Sequence, residues 1–388
     1  MEMHDVIVVG AGPIGSYTAY LLAKEGLNVG IFERNPVIGG DVNCTGIVST
    51  ECLKKFDLPE KVILRPVDSV KAFSPSGNYI RYQSASPFAH IVNRGMFDYE
   101  INRMAVREGA TVYLNTRVEE FNITDSAFKV KVKTEGEEKE FRSKTGVIAT
   151  GFELNSPKGF FNRTKDLLYG IQTEVEIKDV SDIEVHFGKK IAPGSFAWVV
   201  PINGKSAKIG LITKKNPAAF LKGFLQNPLM AHRIKENNNH IRCSPIPLGR
   251  IPKSYAERLI IVGEAAGQVK TTTGGGIYFG LLCSEIAVST IIKAFNRRDF
   301  SEKVFEEYEI NWRSKIEPEL EAGMFMRKLF SRLSDHHINF LIDLAKKDGI
   351  LPIIEKAKFD WHRDIITSLL RHVFFKMHFK QKAPPVPI

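Results

Sequence analysis

Val6-Ile7-Val8-Val9-Gly10-Ala11-Gly12-Pro13-Ile14-Gly15 is the stretch on which the architecture turns. Its first four residues are apolar and β-branched, as in a parallel strand buried on both faces. The glycines follow at GxGxxG spacing, and Ser16 to Glu25 reads as a helix closed by Gly26. Val29-Gly30-Ile31-Phe32 gives a second strand ending at Glu33, completing a β-α-β unit. In this setting Gly10 permits the tight turn, Gly12 lets backbone amides approach a pyrophosphate, and Gly15 lets the helix lie close on the sheet. The helix N-terminus adds partial positive charge. Glu33 stands where a carboxylate accepts hydrogen bonds from adenosine ribose hydroxyls. Such a string is weak evidence alone. Between a strand and a helix it indicates a dinucleotide site, without separating FAD from NAD.

Outward from this unit, Phe97 to Glu108 reads as a helix, with Ile101, Met104 and Ala105 at helical spacing. Thr111-Val112-Tyr113-Leu114 reads as a further parallel strand, and Gly146-Val147-Ile148-Ala149-Thr150-Gly151 as a strand running into a glycine turn. The pattern then changes. Gly170 to Ile177, Ile183 to Phe187 and Ala207 to Leu211 alternate as antiparallel strands with one wet face do. Arg258-Leu259-Ile260-Ile261-Val262-Gly263 returns to the buried-strand style, and from Ser284 onward the chain is mostly helical. The expected fold is α/β (α+β as a whole). It has a discontinuous Rossmann-type domain over 1–153 and 251–295, an antiparallel sheet inserted over 154–250, and a helical region over 296–388.

The 388 residues, 43% hydrophobic and 25% charged, are those of an ordinary soluble globular protein with a sizeable core. Cys44, Cys52, Cys243 and Cys283 form no CxxC pair and have no His partner at ligand spacing. Neither a disulfide framework nor a metal site is expected, and a reducing cytoplasm is the default compartment. Val6 to Ala23 carries no formal charge, but three glycines and a proline interrupt it and an acidic pentapeptide precedes it. It reads as strand, turn and helix rather than a signal or a span, and no other segment approaches spanning length. The net charge of +10 implies attraction to something anionic, whether nucleic acid, lipid headgroups, a phosphorylated substrate or an acidic donor protein. No RNA-binding motif or interleaved basic-aromatic stripe is present, and no nucleic acid is expected.

A second signature decides between the dinucleotides. Gly263-Glu264-Ala265-Ala266-Gly267 follows a buried strand late in the chain and precedes Thr273-Gly274-Gly275-Gly276-Ile277. A nicotinamide dehydrogenase has no need of this return. In flavoproteins with two such motifs, the turn brings an acidic residue to the ribityl chain. The following glycines and helix N-terminus approach the pyrophosphate and the pyrimidine end of the flavin, where negative charge accumulates on reduction. Together with Cys44-Thr45-Gly46-Ile47-Val48-Ser49 and Phe196-Ala197-Trp198-Val199-Val200-Pro201, these elements resemble the geranylgeranyl reductase family of aromatic-hydroxylase-like flavoproteins. The resemblance covers most of residues 1 to 290. Glu264 departs from the family's Asp. Phe196 and Val200 depart from its Tyr-x-Trp-x-Phe-Pro motif, whereas Trp198 and Pro201 match.

The resemblance implies an FAD enzyme that saturates double bonds of polyprenyl chains in lipids. Hydride from reduced flavin would be joined by a proton from Cys44, a tyrosine or water. The cofactor-contacting residues it implies, with those read from the two motifs, are Gly10, Gly12, Pro13, Ile14, Gly15, Glu33, Arg34, Arg94, Val118, Gly263, Glu264, Ala266, Gly267, Gly275, Gly276 and Ile277. Arg94 belongs to a family segment near FAD and could pair with the pyrophosphate. Cys44 is the candidate catalytic residue, on the substrate side of the isoalloxazine, although an isolated cysteine is commonly just a small buried hydrophobe. Phe196, Trp198, Val200 and Pro201 would line an apolar substrate site; as a strand face alone they could equally be core, and the resemblance tips the balance. With no second GxGxxG after a strand, electrons would come from docked NAD(P)H or a small electron-transfer protein. Trp361 to Lys380 reads as a basic amphipathic helix, either a peripheral membrane contact or a terminal helix packed on the protein. The rival activities are a flavin-dependent monooxygenase or halogenase of the same fold (halogenases carry Trp-x-Trp-x-Ile-Pro) and a non-catalytic flavoprotein that binds nucleic acid.

Overall fold

The structure, a computed structural model, describes residues 3–40, 42–152, 166–237, 240–347 and 351–380. The β-branched run at the N-terminus forms the strand Met3–Val9, with Val6, Ile7 and Val8 fully buried. It lies between Val29–Phe32 and Glu137–Ile148, parallel to both, with Val6 opposite Val29 on one side and Thr145 on the other. Leu259–Ile261 adds in parallel beyond Gly146–Ile148, and Thr111–Tyr113 adds in parallel beyond Gly30–Phe32. The sheet therefore unites strands distant in sequence. The helix Pro13–Lys24 covers one face, flanked by Arg94–Arg107 and Ile277–Arg297. Leu22, Ile31, Phe97, Ile101, Phe279 and Trp312 join in one core there, and burying each large apolar side chain stabilises the fold by roughly 1.5–3 kcal/mol.

The alternating segment builds most of a second sheet. Leu167–Ile177 is its central strand, pairing antiparallel with Ser206–Thr213, Ile234–Asn237 and Arg242–Pro247. Ala197–Pro201 and Ile183–His186 follow in order. Two strands from the N-terminal part of the chain, Ser69–Phe73 and Tyr79–Gln83, extend this sheet, the first pairing in parallel with Ile183–His186. Val175, Val199, Ile209 and Leu211 point to one face, where the helix Pro217–Leu225 closes over them with Leu221 and Phe224. The opposite face, carrying Gln172, Trp198, Lys208 and Gly210, turns toward the first domain. A small sheet of Ile47–Ser49, Ala89–Val92 and Ile63–Val67 fills the junction.

The C-terminal region is helical: Glu302–Arg332, Asp335–Lys347, Leu351–Glu355 and Arg363–Lys380. One sequence expectation needs correction here. The helix Ile277–Arg297 is long and apolar enough to cross a membrane by length and composition, although 67% of its most apolar stretch is buried. Its hydrophobicity serves the core, because Leu281, Leu282, Ala287 and Ile291 pack against the Pro13–Lys24 and Glu302–Arg332 helices.

Candidate active site

The two glycine motifs touch. Gly10 has φ +103°, and a Cβ there would stand 2.6 Å from the carbonyl oxygen of Ala149; a Cβ on Gly15 would stand 2.0 Å from the carbonyl oxygen of Gly10. Both must be glycine for the loop to close on the sheet. A Cβ on Gly12, by contrast, would meet nothing within 4 Å, so the loop leaves open space at that position. Ile14 reaches across to the late motif: a Cβ on Gly263 would lie 3.2 Å from it, and one on Gly280 would lie 2.5 Å from it. Thr18 Oγ1 donates to Ser284 Oγ at 2.8 Å, stitching the two helices one turn further on. Neither Gly12 nor Gly276, the N-caps of these helices, supplies a side chain to the first-turn amides. Both helix N-termini thus lack a side-chain cap, which leaves first-turn N–H groups for an anion.

Around this junction stand the acidic residues. Glu33 closes the glycine loop from below, Oε2 accepting from the Ala11 amide at 2.9 Å and Oε1 from the Asn35 amide at 3.0 Å. Arg34, next along, is exposed. Glu264 lies beside the Gly151 turn, where it accepts the Phe152 amide. Burial pushes its carboxyl pKa up, against the opposing pull of that amide and of the Arg94 charge. Ala266 is fully buried and Gly267 adopts φ +73°, ending the short 3-10 turn that carries Glu264. Val118 sends its side chain into the core with Ile7, Val9 and Phe128. Its strand is bulged there, Val132 facing Val118 while Lys131 faces Glu120, so any cofactor contact at this point runs through backbone.

The loop bearing Cys44 is pinned between the two domains. On the first-domain side, a Cβ on Gly39 would stand 2.3 Å from the carbonyl oxygen of Gly95, and Gly46 (φ +82°) packs on Arg94. On the second-sheet side, six hydrogen bonds among the described residues clasp it. Arg242 Nη1 donates to the Val42 carbonyl at 2.6 Å, Asn43 Nδ2 to Ser244 Oγ at 2.9 Å, and Gln172 Nε2 to Asn43 Oδ1 at 3.1 Å. Thr45 Oγ1 donates to Gln172 Oε1 at 3.1 Å, while Lys208 Nζ donates to the carbonyls of Cys44 at 3.2 Å and Thr45 at 3.1 Å. Burial lowers the Lys208 ammonium pKa, opposed by Cys44 and Glu174.

Arg94 is buried beneath this loop, its Nη2 donating to Asp98 Oδ1 at 2.7 Å. Against a burial that disfavours charge, Cys44 and Asp98 hold its guanidinium more firmly protonated than usual. Its buried Nε finds no partner among the described residues. Cys44 thus sits half-buried between two cations, with Glu264 within electrostatic reach of Arg94.

Phe196 and Trp198 share one face, their rings 6.1 Å apart, with Ile212, Ile246 and Met324 around them. The indole lies flat on Gly210, where a Cβ would stand 2.4 Å from Trp198 Cζ2. Trp198 Nε1 is buried without a partner among the described residues. Val200 packs into a neighbouring cluster with Val67 and Ile91, and Pro201 is buried at the strand end. Sequence reasoning missed Gln172, Lys208 and Arg242. On alternating strands they look like solvated polar positions, and only pairing across three strands puts them on the face that grips the Cys44 loop.

Comparison with known proteins places this geometry. Residues 8–59 match the NAD(P)-binding Rossmann-like domain family. A digeranylgeranylglycerophospholipid reductase of Methanocaldococcus jannaschii is 31% identical over 367 residues, covering 90% of this chain and 93% of that protein. The chain belongs to the digeranylgeranylglycerophospholipid reductase family. It is an oxidoreductase of flavoprotein type. Among solved structures, a geranylgeranyl bacteriochlorophyll reductase-like protein of Thermoplasma acidophilum superposes with TM-score 0.85 at 23% identity, covering 95% of this chain and 96% of that one. A flavin-dependent brominase superposes with TM-score 0.73 at 16% identity, covering 97% and 100%. The shared fold explains why the halogenase reading arises from sequence at all.

Proposed function

We propose that this protein saturates carbon–carbon double bonds in the polyprenyl chains of a glycerophospholipid, with FAD held across the two glycine motifs. The single observation that carries this reading is the Cys44 loop, held between Arg94 and Gly95 of the first domain and the second-sheet face that also bears Trp198. FAD, once reduced, supplies a hydride equivalent. The residues present fit it: Gly12 and Gly276 leave uncapped amides for the diphosphate, and the Glu33 and Glu264 carboxylates lie where ribose and ribityl hydroxyls would need acceptors.

The remaining chemistry falls to the chain itself. An isolated alkene is a poor hydride acceptor, so a proton must reach one carbon as hydride reaches the other. The Cys44 thiol is the group we assign to hold that proton at the site. Phe196, Trp198 and the aliphatic residues beside them exclude water and hold the hydrocarbon. Electrons arrive from NAD(P)H or a small electron-transfer protein docking transiently. Contact with the cytoplasmic face of the membrane would come from the helix Arg363–Lys380.

The test is anaerobic incubation of FAD-loaded, chemically reduced protein with geranylgeranyl glycerophospholipids, read by mass spectrometry as the gain of one H2 per double bond. Oxygen-dependent hydroxylation or halogenation without saturation refutes the reading. Cys44→Ala should lower turnover at least tenfold with FAD content intact; unchanged turnover removes the thiol from the chemistry.

A further inference from the structure

A buried ion pair lies on the far side of the late glycine motif. Lys270 Nζ donates to Asp360 Oδ1 at 2.7 Å, with side chains 9% and 4% exposed. Lys270 belongs to the loop before Gly276: its amide donates to the Gly275 carbonyl at 3.0 Å, and its carbonyl accepts from the Gly274 amide at 2.8 Å. The side chain folds back beneath that turn, so a Cβ on Gly275 would stand 3.0 Å from Lys270 Cε and 3.5 Å from Nζ. Asp360 comes from the other end of the chain. Its second oxygen accepts from Ser49, which also caps the helix Thr50–Lys55 through the Cys52 amide at 2.9 Å.

The neighbours hold this pair in place. The Phe359 ring lies 5.0 Å from the Lys270 ammonium. Trp361 packs on Tyr278 and Phe279, donating from Nε1 to the Tyr278 hydroxyl at 3.3 Å. His362 Nε2 donates to the Phe359 carbonyl at 2.9 Å, leaving Nδ1 to accept from Thr272 Oγ1 at 2.6 Å; burial lowers its pKa to about 4 and keeps the ring neutral. The C-terminal segment 359–362 is therefore clamped onto the loop that delivers Gly275 and Gly276.

Taking a lysine and an aspartate out of water is costly, and a buried pair rarely repays that in stability. Its position offers another use. We infer that Lys270, held by Asp360, is a residue that sets the reduction potential of the bound flavin. On the FAD reading above, Gly275 and Gly276 would hold the pyrimidine end of the ring, where the reduced cofactor would carry negative charge. A cation anchored under Gly275 favours the reduced form, while the partner carboxylate moderates it through the same geometry. The pair gives the C-terminal segment control over an electronic property of a cofactor bound by the N-terminal domain.

The experiment is equilibrium reduction of the full-length holoprotein against a reference dye, for wild type, Lys270→Met, Asp360→Asn and the double variant, after FAD content has been measured by absorbance. The expected order of midpoint potentials is Lys270→Met lowest, wild type intermediate, Asp360→Asn highest, with the double variant between the two singles. A loosened fold would release FAD or move both single variants the same way; opposite signs require charge. With FAD bound, shifts of the same sign, or none, overturn the inference. Should Lys270→Met fail to fold, the upward shift of Asp360→Asn and its cancellation in the double variant decide alone. Wild-type protein that takes up no FAD overturns the cofactor reading as well, and its missing flavin spectrum tells that failure apart.

Discussion

The two loops of this site are held in opposite ways. The cofactor loop Gly10–Gly15 is fixed by its own backbone: the strand before it, the helix after it, and two positions with no room for a Cβ. The Cys44 loop has local glycines, but its seating comes from Asn43 and Thr45 reaching across to Gln172 and Ser244, and from Lys208 and Arg242 reaching back. A sterically closed loop fails at a single atom. A loop clasped by several hydrogen bonds, each contributing about 0.5–1.5 kcal/mol, degrades by steps.

That contrast can be broken from either side. The largest effect is expected for Gly15→Ala, whose methyl would have to displace the Gly10 carbonyl. Overpacking of ~3 kcal/mol corresponds to about a hundredfold weaker FAD binding by equilibrium dialysis; retention of wild-type affinity would show that the loop is not sterically closed. Next comes Lys208→Met, which removes both carbonyl contacts of the Cys44 loop but none in the cofactor motifs. Turnover should fall about tenfold, for ~1.4 kcal/mol, with FAD content unchanged. Loss of FAD along with activity would erase the distinction between the two loops.

The smallest effect sharpens the comparison at their meeting point. The Glu264 pKa is raised by burial above its ordinary 4.5, so the folded protein favours the protonated acid. The stability that protonation contributes is present below pH 4.5 and disappears as pH rises through the folded value. Glu264→Gln, a permanent mimic of the neutral form, should melt about 2 °C above wild type at neutral pH in FAD-free protein. Below the carboxylate range the two should coincide. A difference that persists at acid pH would assign the effect to packing instead.

Most of the Rossmann half of the candidate site is legible in the residues. β-Branched strands, glycines at fixed spacing and Glu33 at a strand end are local signals, and parallel sheets place such signals predictably at their carboxyl edge. The return at Gly263 is legible for the same reason. The half built by the second sheet is not. Gln172, Lys208 and Arg242 lie in stretches whose alternation says only that one face is polar, and nothing local says whether that face meets water or another domain. Lys270 and Asp360 are separated by 90 positions and carry no motif.

By itself, then, the amino-acid order determined the α/β fold class with its Rossmann-type unit, because strand, glycine turn and helix depend on backbone sterics over short spans. Only the tertiary structure decided which polar face became the clasp on Cys44, that two strands from before residue 84 complete the second sheet, and that the segment 359–362 docks beneath Gly275. Such choices depend on which surfaces come together on folding. Burial then turns an ordinary lysine, aspartate or glutamine into part of a site.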